Sequence, residues 1–454
     1  MRPGRAFNGV LWLSLAALLC ACQSYAPRPL PTSPDLAPDV ARLTADISRL
    51  RLGPLIAHRF DPSDGLDPTE AAVLAVLNSP DLAARRAAAK VAAAQVFAAG
   101  LLPDPQVAFT FDVPVSRIGA PTDAYNINPN LDLMALVTHS TALRAARASA
   151  RQADLDLLWA EWSTAQQARQ LAVTAMGAEA KAEILRALLG ALAERSRQSQ
   201  KALARGDVAA AIASADIAAK LDAEGLLASA EHDGAKARGD LNAVIGLSPG
   251  VRLALEPGAP PVNPGAAALD RALASLPARR PDLLALKAGY GAQEANLRKA
   301  ILMQFPLINL GFSHQSDTSG IITNGLSASF VIPIFNRGRG EIAVQSATRE
   351  RLAQEYQARL DQTIADVAAA RRDREADWAA AARLEAEVPV LTAMASRARE
   401  ALARGDIDSA AFLALEQSAL THAAALQDER LALALADISL ETVLFLPSDE
   451  SAPS

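Results

Sequence analysis

Apolar residues recur every three or four positions along two long stretches of the chain. The later stretch has Leu384, Val388, Leu391, Ala395, Ala398 and Leu402 at this spacing. The earlier one has Leu185, Leu189, Leu192 and Leu203, with the polar residues Ser196 and Ser199 at the two positions between the last two leucines. The pattern is typical of the seam of a left-handed coiled coil. It predicts helices over 143–204 and 340–403, each roughly 90 Å long, and a return helix after each. Gly190 and Pro389 weaken a helix and predict a bend in both.

Strict alternation of apolar and polar residues precedes both long helices. Val107, Phe109 and Phe111 alternate in the first region, and Ile308, Leu310 and Phe312 alternate in the second. This period of two predicts strands. Each region continues through a polar loop, 113–126 or 314–325, into a second strand. The second strand of the later region is clear over 326–332. In the earlier region, Pro129 and Asp132 weaken the second strand over 130–133. A helix of about thirty residues, starting near Thr69 or Ala266, precedes each strand pair.

A hexapeptide occurs twice, as residues 202–207 and 401–406, and each copy follows a long helix. Gly206 and Gly405 are suited to the left-handed conformation that ends a helix. Asp207 and Asp406 are placed to cap the helix that follows. The two copies therefore predict tight turns between antiparallel helices, and Arg205 and Arg404 belong to the same turns.

The repeated turn is one part of a duplication of the whole unit. Pro80-Asp81-Leu82 returns as Pro281-Asp282-Leu283, and the strand and helix positions match at a nearly constant offset. Such self-similarity predicts two structural repeats. We assign them to residues 66–250 and 266–447, with a Pro/Gly-rich linker at 251–265 and a tail at 448–454.

The amino terminus has the pattern of an export signal. Arg2 and Arg5 precede an apolar run over 10–19 that is too short to span a bilayer as a mature helix. The run ends in a sequence that resembles a bacterial lipobox, which predicts a signal over 1–21 and lipidation of Cys22. Cleavage nearby to give an ordinary secreted protein is the alternative. Residues 22–65 would hold the anchor and a proline-dotted tether.

Composition narrows the function. The net charge is −6 and the aromatic content is 4%, with no basic stripe, so the sequence does not predict nucleic-acid binding. The five histidines are scattered without ligand spacing, and we predict no metal site and no cofactor. Paired carboxylates, a Ser/His set and a phosphate loop are not found in a convincing frame. We therefore expect that the protein is not an enzyme.

Four strands of this length leave two structural possibilities. A tilted strand of about nine residues can cross a bilayer, but four cannot close into a barrel, and an open edge in lipid is not viable. Either the strands form a small soluble sheet or several chains pool them, in which case three chains would supply twelve. The predicted fold is therefore mainly α-helical, with a possible contribution to a membrane β-barrel.

Several segments together resemble the TolC-type outer-membrane efflux family. Residues 276–283 are similar to its Arg-Arg-Pro-Asp stretch, 241–247 to the end of its first repeat, and 332–338 to its strand-to-helix corner. The resemblance covers roughly residues 66–447, and the first corner, 134–137, lacks the expected Pro and Gly. It implies a homotrimer with a barrel in the outer membrane and an α-helical tunnel in the periplasm. It also implies docking to a periplasmic adaptor protein and an inner-membrane pump.

By that resemblance the two repeated turns lie at the periplasmic tip. Residues 205–207 (Arg205, Gly206 and Asp207) and 404–406 (Arg404, Gly405 and Asp406) would then contact the adaptor. Asp216, Asp408 and Glu416 would ring the opening. We expect a passive conduit for small molecules or ions, anchored in the outer membrane of a Gram-negative bacterium. The alternative is a lipid-anchored periplasmic coiled-coil spacer without a pore. The cargo and the class of pump are not readable from the sequence.

Overall fold

The computed structural model describes residues 25–61, 65–115, 119–258, 266–331 and 333–445. The chain separates into two compact units, Met1–Leu36 and Ala37–Ser454. The described part of the first unit, 25–36, contains neither helix nor strand.

Nine α-helices and four strands make up the described part of the second unit, besides two short 3-10 turns at Val40–Arg42 and Ile47–Arg49. In chain order they are α1 (Gly53–Ala57), α2 (Pro68–Asn78), α3 (Pro80–Gly100), β1 (Gln106–Asp112), β2 (Ala124–Asp132), α4 (Leu133–Arg205), α5 (Ala210–Ile245), α6 (Ala266–Arg279), α7 (Pro281–Leu302), β3 (Leu307–Ser316), β4 (Ile322–Val331), α8 (Arg339–Arg404) and α9 (Ser409–Leu444). The series from α2 to α5 is repeated in the same order from α6 to α9.

The first helical segment of each repeat is broken by a proline, so the prediction of one continuous helix was wrong. Ser79 and Arg280 precede Pro80 and Pro281, and neither is helical, with ψ of 125° and 122°. Proline disfavours the helical conformation of the residue before it and has no N–H to donate. Each segment is therefore two consecutive helices.

The long helices start and end close to the predicted limits, with one exception. The helix α8 has 66 residues, Arg339–Arg404, against a prediction of 340–403. The helix α4 has 73 residues and begins ten positions earlier than predicted, which makes it about 110 Å long. Asp132 ends β2 and caps α4 at once, because its Oδ1 accepts from the N–H groups of Met134 at 2.8 Å and Ala135 at 3.0 Å. Both helices continue through Gly190 and Pro389, and the bend at these positions stays a prediction.

The helices pack as a single layer whose membership changes along its length. On the side of the repeated turns, α4 packs against α5 and α9, and α9 packs against α8, which gives the order α5–α4–α9–α8. Towards the sheet, α3 and α7 flank α4, and α8 packs on α7, giving α3–α4–α7–α8. Small residues line these contacts, for example Ala168, Ala172 and Ala175, which are fully buried. Alanine allows the helix axes to approach closely and favours the helical state.

The segment from Ala37 onward is packed against the helices. The anchor and tether predicted over 22–65 are therefore shorter than predicted and do not continue into this unit. The N–H of Ala37 donates to the carbonyl of Gly246 at 3.0 Å, and the N–H of Thr44 donates to Oδ1 of Asn78 at 2.8 Å. Further along, Leu50, Leu52 and Leu55 enter a core formed with α2 and Trp162 of α4.

The strands form one antiparallel sheet in the order β1-β2-β3-β4. The hairpins of the two repeats are thus joined through β2 and β3. The strands contain 7, 9, 10 and 10 residues. The loops within the two hairpins are shorter than predicted, because β2 already begins at Ala124 and β3 continues to Ser316.

Pro129 lies inside β2 instead of ending it. It pairs with Val107 of β1, whereas the β2–β3 pairs omit Asn128 and Pro129. The strand therefore tolerates the missing N–H by losing pairing on one side only. Gly311 of β3 makes room at this point, since a Cβ there would lie 2.8 Å from Oδ1 of Asn128 and 2.9 Å from the carbonyl oxygen of Pro129.

Candidate functional site: the amphipathic sheet and the two helix turns

The sheet has one apolar face and one polar face, because its register aligns the alternating residues of all four strands. Successive side chains of a strand point to opposite faces, and directly paired residues share a face. The apolar face consists of Val107, Phe109, Phe111, Tyr125, Ile127, Pro129, Leu131, Ile308, Leu310, Phe312, His314, Ser316, Ile322, Asn324, Leu326, Ala328 and Phe330. The opposite face carries mostly Asn, Ser, Thr, Gln and Gly. Apart from His314 and Tyr125, the ionisable side chains of the described strands are Asp112 and Asp132, which lie at strand ends.

The apolar face is uncovered in the single chain. Leu326 at the middle of β4 is 92% exposed, and Phe109 and Phe330 are 64% and 57% exposed. Proteins in water rarely expose a contiguous apolar surface of this kind, and one that is exposed marks contact with another protein or with lipid. The edge strands β1 and β4 pair on one side only. The sheet is therefore open at both edges as well as uncovered on its apolar face.

Besides Ser316, three polar side chains that contact one another interrupt the apolar face at the end that is distant from the helices. The Tyr125 hydroxyl lies 3.1 Å from Nε2 of His314, and Nδ1 of His314 lies 2.6 Å from Oδ1 of Asn324. Since the amide oxygen of Asn324 can only accept, Nδ1 donates to it and Nε2 accepts from Tyr125 in the neutral ring. The three groups come from three adjacent strands and satisfy one another.

The repeated turns have the same geometry in both copies. Gly206 and Gly405 are left-handed, with φ of 83° and 81°. The N–H of Asp207 donates to the carbonyl of Ala202 at 2.9 Å, and Asp406 repeats this bond in the second copy. This is the closure of a helix by a left-handed glycine, as the sequence predicts.

The capping role predicted for the two aspartates was wrong. The N-cap of α5 is Ala209, which makes no side-chain cap, and the N-cap of α9 is Asp408. Asp207 accepts instead from Nε of Arg205 at 2.8 Å, and Asp406 accepts from Arg404 at the same distance. The next helix starts too late in the chain for either carboxylate to reach its first N–H groups. All four charged side chains are well exposed.

The three acidic residues assigned to an opening have different surroundings. Asp216 is only 5% exposed and binds Nε of Arg195 at 2.8 Å. Asp408 caps α9 by accepting from the N–H of Ala411 at 2.7 Å. Glu416 accepts from Nη2 of Arg399 at 2.6 Å. Each carboxylate is thus already engaged within the chain, and Cys22 lies outside the described residues.

A link between the two helical hairpins near the turns was missed from the sequence. Arg195 of α4 also donates from Nη1 to Oε1 of Gln417 on α9 at 3.3 Å, and the Ser409 hydroxyl donates to Oε1 of Gln198 at 2.9 Å. In the sequence, Asp216 stands among small apolar residues, and this is a signal that could have pointed to a cationic partner. Heptad spacing alone does not identify its partner.

Other buried ion pairs stabilise the middle of the helical layer. Asp282 accepts from Arg280 at 2.8 Å and from Arg359 at 2.7 Å, while Arg374 pairs with the buried Asp437. In the described ranges, no group of three or more His, Cys, Asp or Glu side chains could hold a metal ion. None of the described helices is long and apolar enough to cross a membrane.

These features define a class of fold: a duplicated unit in which a strand hairpin is joined to a very long helical hairpin, with both hairpins in one amphipathic sheet. No protein-family profile matches the chain, and no curated protein matches it by sequence. Solved structures of outer-membrane channels do share the fold.

Three of these structures illustrate the match. The outer-membrane channel OprN is 15% identical, with a TM-score of 0.68 over 95% of this chain and 100% of that one. The CmeC outer-membrane channel of Campylobacter jejuni is 14% identical, with a TM-score of 0.66 over 93% and 94%. The MtrE outer-membrane channel of Neisseria gonorrhoeae, in its open state, is 16% identical, with a TM-score of 0.65 over 94% and 98%. The chain therefore has the fold of these outer-membrane channels over nearly its whole length.

Proposed function

We propose that this chain is the outer-membrane channel component of a tripartite efflux or export system. It forms a passive conduit for small molecules or ions across the periplasm and the outer membrane of a Gram-negative bacterium. It has no enzymatic activity of its own, needs no cofactor and binds no nucleic acid. The energy for transport comes from an inner-membrane pump.

The amphipathic sheet is the observation that carries this proposal. A sheet with one apolar and one polar face is suited to a barrel wall that separates lipid from a water-filled lumen. Four strands with two open edges cannot exist alone in lipid. A homotrimer supplies twelve strands and pairs β1 of one copy with β4 of the next. The same operation joins the edge helices α5 and α8 into a closed tunnel.

The two helix turns are the proposed contact with a periplasmic adaptor protein. They lie at the end of the helical layer away from the sheet, and the exposed pairs Arg205–Asp207 and Arg404–Asp406 offer the same polar surface twice. A partner that itself repeats around the axis would meet six similar turns in a trimer. The acidic residues Asp216, Asp408 and Glu416 lie near this end and form the proposed periplasmic aperture.

The amino-terminal segment provides the membrane anchor in this proposal. Signal cleavage after residue 21 leaves Cys22 as the first residue, and several acyl chains on one cysteine bind outer-membrane lipid far more firmly than a single chain. The Pro-rich segment that follows is the proposed tether.

Ion conductance separates this proposal from a coiled-coil spacer without a pore. The purified full-length protein should conduct across a planar bilayer in stepwise increments and should run as a heat-modifiable trimer in detergent. A spacer would give no conductance, and its strand residues 106–112 and 322–331 would be open to a water-soluble cysteine reagent after single Cys substitutions. Lack of conductance together with labelling on both faces would refute the channel.

A further inference from the structure

An exposed stripe of side chains runs along the part of α4 nearest the sheet. Val137, Ser140, Arg144, Arg147 and Arg151 follow steps of three and four, and all five are exposed. Positions at this spacing lie on one face of a helix. The stripe begins with an apolar residue beside the sheet and continues with three arginines.

A matching stripe lies on the neighbouring helix α7. Lys287, Gly291, Glu294, Arg298 and Ile301 share one face by the same spacing. A groove of about 490 Å³ joins the two stripes, with Arg144, Arg298 and Arg349 of α8 in its lining. Three cations line this groove, and the helical spacing puts Arg147, Arg151 and Lys287 on the same faces of α4 and α7. We call this set the basic surface: Arg144, Arg147, Arg151, Lys287, Arg298 and Arg349.

The charge of the basic surface is largely uncompensated. In the described part of the chain, Arg147, Arg151, Lys287 and Arg298 have no carboxylate within ion-pair distance. Arg349 lies 3.5 Å from Glu294, and Arg144 donates only to Ser140 and Thr141 of its own helix. A second arginine-rich groove, between α4 and α5, is different, since its Arg186 and Arg238 pair with Glu231 and Glu179.

Exposed apolar residues separate the basic surface from the sheet. Val137 is 56% exposed and Ile301 is 41% exposed, and Met303 and Phe305 in the connection to β3 are also exposed. Moving away from the sheet, the surface therefore changes from apolar to basic within two or three helical turns. Arginine and lysine at such a boundary place their aliphatic stems against apolar surroundings and their charges in the polar layer.

Neighbouring copies would leave this surface accessible. In the order α3–α4–α7–α8, the helices α4 and α7 are the inner pair, whereas α3 and α8 form the edges. Contacts between copies at those edges do not cover the faces of α4 and α7, which carry the basic surface apart from Arg349 of the edge helix α8.

We propose that the basic surface binds the phosphate groups of anionic phospholipids in the membrane leaflet next to the sheet. The inference rests on the proposed membrane location of the sheet. Guanidinium groups bind phosphate oxygens through paired hydrogen bonds. Bound lipid would fix the height of the helical layer relative to the bilayer.

Lipid binding to the full-length protein in a neutral detergent tests this inference. Native mass spectrometry would count bound phosphatidylglycerol and bound phosphatidylcholine across a titration. The test variant is R147Q/R151Q/R298Q, in which no ion pair is lost. The matched control is K201Q/R252Q/R397Q, which removes three exposed and equally unpaired cations elsewhere.

We expect the wild type and the control to prefer phosphatidylglycerol and the test variant to bind it roughly a hundredfold more weakly. Each cation near an anionic surface contributes about 1 kcal/mol, and about 1.4 kcal/mol corresponds to a factor of ten. Equal affinity of both variants, or equal binding of the two lipids, would overturn the inference. The inference would also be overturned if the test variant kept its lipid affinity but shifted the reversal potential in a KCl gradient, because the cations would then line the lumen. Conductance measured in parallel separates the two proposals. If the protein conducts but its lipid binding does not depend on the basic surface, only the inference is refuted. If lipid binding depends on the basic surface but the protein does not conduct, only the channel is refuted.

Discussion

A lysine at the middle of β4 tests whether the apolar face of the sheet lies in lipid. Leu326 and Ser327 are adjacent in the chain and point to opposite faces, opposite Phe312 and Gly311 of β3. The substitutions L326K and S327K therefore introduce the same charge at the same depth on the two sides of one strand.

The structure gives very different expectations for the two environments. Leu326 is 92% exposed, so it has almost no protein contact to lose. In water, L326K would change the free energy of unfolding by no more than about 0.5 kcal/mol. On the lipid face near the bilayer midplane, a lysine costs about 2–4 kcal/mol, and S327K on the lumen side avoids that cost.

The measurement is a urea series on protein folded into phosphatidylcholine vesicles, with folded and unfolded bands separated on an unheated gel. We expect a clear fall in the urea midpoint for L326K and a midpoint close to wild type for S327K. Equal midpoints for the two variants would refute the assignment of the apolar face to lipid. A larger loss in S327K would indicate that the assignment of the faces is reversed.

Three further predictions concern the helical layer. G405A places a Cβ at φ 81° and should cost roughly 1–2 kcal/mol at the turn, visible as faster proteolysis there without loss of total helix by circular dichroism. D437A leaves the guanidinium of Arg374, which is 13% exposed, unpaired and should lower the free energy of unfolding by about 3–5 kcal/mol in a urea titration; a loss below 1 kcal/mol would contradict this. Burial, followed by the charge of Asp282, raises the pKa of Asp156 above 3.8, so the folded state holds this proton more tightly and its stability falls as pH rises from 3.8 through the raised value. D156N should therefore raise the melting temperature at pH 7, and its advantage should vanish below pH 3.8; a lower melting temperature at pH 7 would refute the argument.

The long helices could be predicted because their pattern repeats over many turns. Heptad positions such as Leu185 and Leu384 fix the period, and Gly206 and Gly405 fix the ends. The start of α4 was placed too late because Asp132 both ends a strand and caps a helix, and no loop separates the two elements. The breaks before Pro80 and Pro281 were missed but could have been predicted, since a proline within a helical stretch is a local signal.

Side-chain partners between helices could not be predicted in the same way. Arg195 and Asp216 lie on different helices, and their contact depends on the rotation and height of both. The turn aspartates had two possible partners, the following N–H groups or the preceding arginine, and only the backbone path after Gly206 decides between them. The polarity of the sheet faces followed from alternation, but which strands pair across the repeats, β2 with β3, required the structure.

That pairing imposes an order on biogenesis. β2 ends at Asp132 and β3 begins at Leu307, so the sheet cannot be completed until the second repeat has been synthesised. Until then the apolar face of the first hairpin is exposed to water. Contacts between such distant parts of a chain form slowly. In the proposed channel, a newly exported copy would need a holding chaperone, or rapid encounter with its sister chains, to avoid aggregation.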